Sequence, residues 1–125
     1  MNAEHPQAAV ADQLRQLDEE LALSRVGGDT DLLREIVDLF LADYPNTLEK
    51  IRAAVAVRDA VAIEQHAHSL KGSVSTFGAQ NAFEAALALE RQGRSRELGD
   101  VEAGLHQLES ALVALRPELE SIQAR

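Results

Sequence analysis

The stretch Ala60-Val61-Ala62-Ile63-Glu64-Gln65-His66-Ala67-His68-Ser69-Leu70-Lys71-Gly72-Ser73-Val74-Ser75-Thr76-Phe77-Gly78 carries the clearest pattern in the chain. Ile63, Ala67, Leu70, Val74 and Phe77 recur at alternating spacings of four and three, an apolar seam that predicts a helix over about 60–76. Asp59 is the expected N-cap, and Phe77-Gly78 marks a tight turn. At roughly 100° per residue, His68 falls about 140° from the middle of the seam and faces solvent. Gln65 and Gly72 lie beside it, one turn away on each side, and Lys71 and Ser75 flank it off the seam.

Outward from this stretch the pattern stays helical. Val10, Leu14, Leu17, Leu21 and Leu23 predict a first helix over about 8–26, stopped by Gly27-Gly28. Asp29 or Thr30 can cap the next, with Leu32, Leu33, Ile36, Val37, Phe40 and Leu41 as its stripe. The stripe resumes at Leu48, Ile51, Ala54 and Val55 beyond Pro45, which removes a backbone donor and clashes with the carbonyl of Leu41. One helix over about 30–57, kinked near Pro45, is expected, with two helices broken there as the alternative.

After the Phe77-Gly78 turn, an Ala-rich helix over about 79–92 is expected to pack through Ala79, Phe83, Ala86 and Leu87 and to end at Gly93. Arg94 to Gly99 reads as a loop. Asp100 can cap a last helix carrying Val101, Leu105, Leu108, Leu112, Leu115, Leu119 and Ile122, which Pro117 should kink or end early. His106 falls among the core positions of that helix. No strand is predicted. Short connections between long helices imply an all-α, antiparallel up-down four-helix bundle with an additional N-terminal helix. Residues 1–125 are expected to form a single domain, with 1–8 as a loose tail.

Composition narrows the function. The 125 residues are 46% hydrophobic but only 3% aromatic, which suits helices packed through small side chains. Without cysteine there is no disulfide, thiol catalysis or Cys-ligated metal. A net charge of −9 gives no electrostatic footprint for nucleic acid or anionic lipid. No apolar run approaches the ~20 residues needed to span a membrane. Met1 to Gln7 lacks the basic and apolar regions of a signal peptide, so a cytoplasmic protein is expected. Enzyme templates are missing too. There are no paired Glu-x-x-His segments for a di-metal bundle, no H-E-x-x-H, no G-x-S-x-G, and no nucleotide loop in Gly72 to Gly78. No metal or cofactor of its own is expected.

The chemistry therefore centres on His68. An exposed imidazole is a nucleophile near neutral pH and can form a covalent intermediate. A phosphoryl group on one ring nitrogen brings negative charge that Lys71, one turn along, can offset as a point charge. Gly72 costs about 1 kcal/mol against alanine in mid-helix, and close approach by a partner is a reason to keep it. Glu90 continues the stripe of the following helix, where a carboxylate needs a partner. Folding back at Phe77-Gly78 brings residues 87–90 level with His68, so Glu90 can accept a hydrogen bond from one ring nitrogen and leave the other free to attack.

Plainer readings exist for each residue. His68 can be an ordinary surface histidine, Gly72 a packing glycine, and Glu90 a surface partner of Arg91 or Arg94. Ser73, Ser75 and Thr76 suit a helix end, and His66, at the edge of the seam, a structural role. His5 lies in the terminus. The acidic clusters Asp18-Glu19-Glu20 and Glu118 to Glu120 suit solvated faces.

Ala67-His68-Ser69-Leu70-Lys71-Gly72-Ser73, with Phe77-Gly78-Ala79 following, resembles the signature of the histidine-containing phosphotransfer (HPt) domain family. Gly27-Gly28-Asp29, Leu32-Leu33, Phe40 and a proline in the long second helix resemble its N-terminal region, and Leu89-Glu90 its later helix. The resemblance covers about residues 20–115. Ser73-Val74-Ser75 departs from the usual small residues after the glycine.

The resemblance implies a phosphoacceptor at His68, through Nε2. It implies phosphate charge compensation at Lys71, partner access at Gly72, imidazole orientation at Glu90, and a basic position at Arg94. Gln65, Gly72, Ser75 and Arg94 would meet the partner. Response-regulator receiver domains and a hybrid histidine kinase are the implied partners, with Mg²⁺ on the receiver only, and a monomer is expected. The N-terminal domain of chemotaxis histidine kinases shares the motif, but this chain carries no dimerisation or ATP-binding segment and is expected to have no kinase activity. A helical adaptor without phosphotransfer, or the phosphoacceptor fragment of a larger hybrid or chemotaxis-type kinase, are the alternatives.

Overall fold

The computed structural model describes residues 15–125, and among these each helix starts where an Asp or a turn interrupts the apolar period, giving α1 (Glu19–Arg25), α2 (Thr30–Ala56), α3 (Ala60–Ser75), α4 (Gln80–Ser95) and α5 (Val101–Gln123). Asp18, Asp29 and Asp59 cap α1, α2 and α3, each carboxylate accepting from the backbone N–H three residues on, at 3.0–3.1 Å. Asp100 precedes α5 but makes no side-chain cap bond. Gly27 and Gly28 take φ of 67° and 79° after α1, and Gly78 takes φ of 61° between α3 and α4. All three lie in the left-handed region that glycine enters without penalty.

Helices α2 to α5 form a closed ring of neighbours, α2 against α3, α3 against α4, α4 against α5, and α5 back against α2. Turns at 57–59, 76–79 and 96–100 reverse the chain each time, which makes this the expected antiparallel up-down bundle with α1 added. No strand occurs among the described residues. The core runs along the inside faces: Leu33, Val37, Phe40 and Ile51 of α2, the complete seam Ile63, Ala67, Leu70, Val74 and Phe77, and Leu108, Leu112, Leu115, Leu119 and Ile122 of α5. Phe77 packs edge-on to Phe40, with ring centroids 5.3 Å apart, and so ties the α3–α4 turn to α2. No helix among the described residues is long and apolar enough to cross a membrane.

Several boundaries differ from the sequence expectation. Among the described residues the first helix begins at Glu19, and residues 15–18 are not helical, so no single helix runs over 8–26; residues 8–14, the 1–8 tail and His5 lie outside the described residues. Just ahead of α1 the backbone has other partners, since Gln16 and Leu17 donate N–H bonds to the Glu118 carboxylate and Asp18 N–H bonds the Phe77 carbonyl. The long second helix runs through Pro45 as expected, and Pro117 does not end α5, which continues to Gln123. Burial of Phe40, Leu41, Leu48 and Ile51 around the first, and of Leu112, Leu115, Leu119 and Ile122 around the second, outweighs a proline cost of about 3 kcal/mol.

The buried face of α4 is Ala82, Ala85, Ala86, Leu89, Glu90 and Gly93, rotated from the predicted stripe, with Phe83 and Leu87 half-buried. His106 is not a core residue: its side chain is 87% exposed.

Gly93 does not end α4, which continues to Ser95 and closes on Arg96 in the left-handed conformation. Its role is contact. A Cβ on Gly93 would stand 2.7 Å from both Ala60 O and Glu64 N, so the backbones of α3 and α4 touch there. Gly93→Ala should therefore destabilise the fold by about 1–3 kcal/mol despite its better helix propensity, because rigid backbone has to move. Urea unfolding measures this, and an unchanged or raised midpoint would contradict the contact.

Candidate functional site

His68 leaves the middle of α3 on its outer side, and its side chain is 66% exposed. The same helix turns Lys71 toward α4, and α4 presents Glu90 from its buried face. Here the Ala-rich packing matters, because the small buried residues Ala67 of α3 and Ala82 and Ala86 of α4 let the two helices come close enough for the side chains to meet. Glu90 Oε2 lies 2.9 Å from His68 Nδ1, and Glu90 Oε1 lies 2.8 Å from Lys71 Nζ. Oε1 makes no directed hydrogen bond, so its partner is the Lys71 charge alone. From one turn along α4, Arg94 Nη2 donates to Oε2 at 2.8 Å.

Glu90 is 2% exposed. Burial alone would push its carboxyl pKa up, but the Lys71 and His68 contacts oppose that strongly enough to hold it below the usual carboxylate range. The carboxylate is thus ionised and acceptor-only, so the proton in its bond with the ring belongs on Nδ1. Nε2 then keeps its lone pair, and it has no hydrogen-bond partner among the described residues.

The other predicted positions are distributed around this centre. Gln65, His68, Glu90 and Arg94 line one shallow open depression together with Glu64. Gly72 is exposed, and a Cβ there would meet nothing within 4 Å, so it does not serve packing. The Ser75 hydroxyl donates to Gly72 O at 2.8 Å and its carbonyl accepts from Arg25. Glu90 does pair with Arg94, but from a buried position and not as a surface contact. Lys71 is only 20% exposed and is already committed to Glu90.

Glu64, missed in the sequence, accepts from Arg94 Nε at 2.9 Å. The only signal for it was its place one turn before His68. No cluster of His, Cys, Asp or Glu suited to holding a metal ion occurs among the described residues.

Fold and site together define a helical-bundle protein in which an exposed imidazole in mid-helix is paired with a buried carboxylate. Residues 35–122 match the Hpt domain family. The chain belongs to that family, the histidine phosphotransfer domains of two-component phosphorelays.

Among solved structures it is similar to histidine-containing phosphotransfer protein B from Pseudomonas aeruginosa, with 28% identity over 88% of this chain and 96% of that one, at a TM-score of 0.82. It also shares the fold of the HPT domain from the Hpt sensor hybrid histidine kinase of Shewanella, with 20% identity, 89% and 96% coverage and a TM-score of 0.78. No curated protein matches the chain in sequence.

The low pKa of Glu90 has a measurable consequence. A carboxyl depressed in the folded state contributes stability that is complete above its unfolded pKa and is lost as pH falls through the folded value. Unfolding free energy followed by urea titration should therefore fall more steeply for the wild type than for Glu90→Gln as pH drops below the usual carboxylate range. Parallel acid limbs would mean that the neighbours of Glu90 do not hold it ionised.

Proposed function

We propose that His68 is the residue that carries the phosphoryl group in the relay, and that it does so on Nε2. The observation that supports this most directly is the pairing of an exposed ring with a buried carboxylate at Nδ1. With the Nδ1 proton held by Glu90, the Nε2 lone pair points outward. Nε2 attacks the phosphorus of a receiver-domain aspartyl phosphate in line. The N–P bond forms as the aspartyl O–P bond breaks, and the aspartate departs as a carboxylate with the bonding pair.

The ring becomes formally cationic with its Nδ1 proton retained, and the Glu90 charge stabilises that state, as a triad carboxylate stabilises an imidazolium. The reverse sequence hands the phosphoryl group to a second receiver aspartate.

In this reading Lys71 compensates phosphate charge and Glu90 orients the imidazole. Gln65, Gly72, Ser75 and Arg94 border the partner, and the bare Gly72 surface lets the receiver's active site close over the ring. The Mg²⁺ that offsets charge on the phosphoryl oxygens belongs to the receiver. The chain supplies a positioned nucleophile and has no kinase activity of its own. It acts as a monomer in the cytoplasm, between receiver domains and a hybrid histidine kinase.

Incubation with a phosphorylated receiver domain should yield acid-labile, base-stable label on the chain, and His68→Gln should abolish it; label that persists in that variant rejects the site. Gly72→Ala separates access from packing. It should stabilise the helix by about 0.5–1 kcal/mol in thermal unfolding while slowing phosphoryl exchange roughly tenfold. Unimpaired exchange would remove the access role of Gly72.

A further inference from the structure

Beside the imidazole the charges balance in number but not in freedom. Lys71 and Arg94 are the cations, Glu64 and Glu90 the anions. Lys71 is mostly covered and sits on Glu90, whereas the Arg94 side chain is 63% exposed and reaches the site from the rim. Its planar fork matches phosphate oxygens better than any other group present. Yet Nε is held by Glu64 at 2.9 Å and Nη2 by Glu90 at 2.8 Å. Glu64 stands on α3 one turn before His68, and it lines the same depression as the ring and Arg94. A phosphoryl group on Nε2 would bring two negative charges to the edge of that depression and would compete with Glu64 for the guanidinium.

We infer that Glu64 is a positioning residue acting through Arg94: it keeps the guanidinium from closing on the phosphoryl oxygens and so sets how loosely the site holds the group. This rests on His68 being the phosphoacceptor. The chemistry gives the arrangement a purpose. A relay intermediate has to surrender what it accepts, and a bidentate arginine on the phosphohistidine would stabilise that state against the aspartyl phosphates on either side. Glu64 adds little to folding, since exposed ion pairs contribute little to stability, so its removal leaves a folded protein to test.

The measurement is the equilibrium ratio of phosphorylated chain to phosphorylated receiver after mixing, for the wild type, Glu64→Gln, Arg94→Gln and the double variant. Circular dichroism melting establishes that each is folded. Glu64→Gln should shift the ratio toward phosphohistidine about tenfold, the size of one added charge-assisted hydrogen bond. In the Arg94→Gln background the same substitution should have no effect, because there is no guanidinium to release.

A ratio for Glu64→Gln equal to the wild type overturns the inference while leaving the phosphoacceptor reading intact. A shift that survives undiminished in the Arg94→Gln background also overturns it, since Glu64 would then act by its own charge. A wild-type chain that takes no label from a receiver overturns the phosphoacceptor reading, and this inference with it.

Discussion

A single buried charge organises this molecule. Glu90 lies inside the packing face of α4, where an unpaired carboxylate would cost several kcal/mol. It is tolerated because Lys71, His68 and Arg94 converge on its two oxygens. Two of those partners come from α3, so the carboxylate both joins the helices and aims the ring. Structure and chemistry use the same two oxygen atoms. A hydrophobic residue of similar size could hold the helices together, but it would leave Lys71 without a partner and the imidazole free to rotate.

The backbone makes this convergence geometrically possible. Alanines at 67, 82 and 86 keep side-chain bulk out of the α3–α4 interface, and Gly93 lets the two backbones meet at its far end. At the near end the turn through Gly78 is braced by α1. A Cβ on Gly78 would collide with Asp18, Asp18 N–H bonds the Phe77 carbonyl, and Arg25 reaches the Ser75 carbonyl. Both ends of the pair are therefore fixed by main-chain contacts, and the site lies between them.

Much of this was legible in the residues. The seam of α3 is made of large side chains with a strict period, so its buried face and the outward direction of His68 could be read directly. Asp29 and Asp59 announced their helices, whereas Asp18 was taken for part of a solvated cluster. The family followed from the residues around His68 and the turn after it.

The misplaced features share a cause. In α4 the small residues outnumber the large ones, so burial is decided by what the neighbouring helix can approach, and the large Phe83 and Leu87 drew the predicted stripe to the wrong side. Gly93 looked like a stop because glycine ends helices far more often than it permits contact. Pro117 looked like a possible helix end because a local penalty is visible in sequence and the tertiary burial that outweighs it is not. Glu64 needed the crossing of two helices to acquire its partner.

The meeting of backbones at Gly93 has a consequence for how this protein can change over evolutionary time. The separation between the histidine's helix and the carboxylate's helix is gauged there by carbonyl and amide atoms of α3, not by interlocking side chains. Core positions on the opposite wall, such as Leu112 or Val37, can drift in size without retuning the grip on the ring. The bundle can thus be remodelled for new neighbours along most of its surface while the His68 ring stays in register with Glu90.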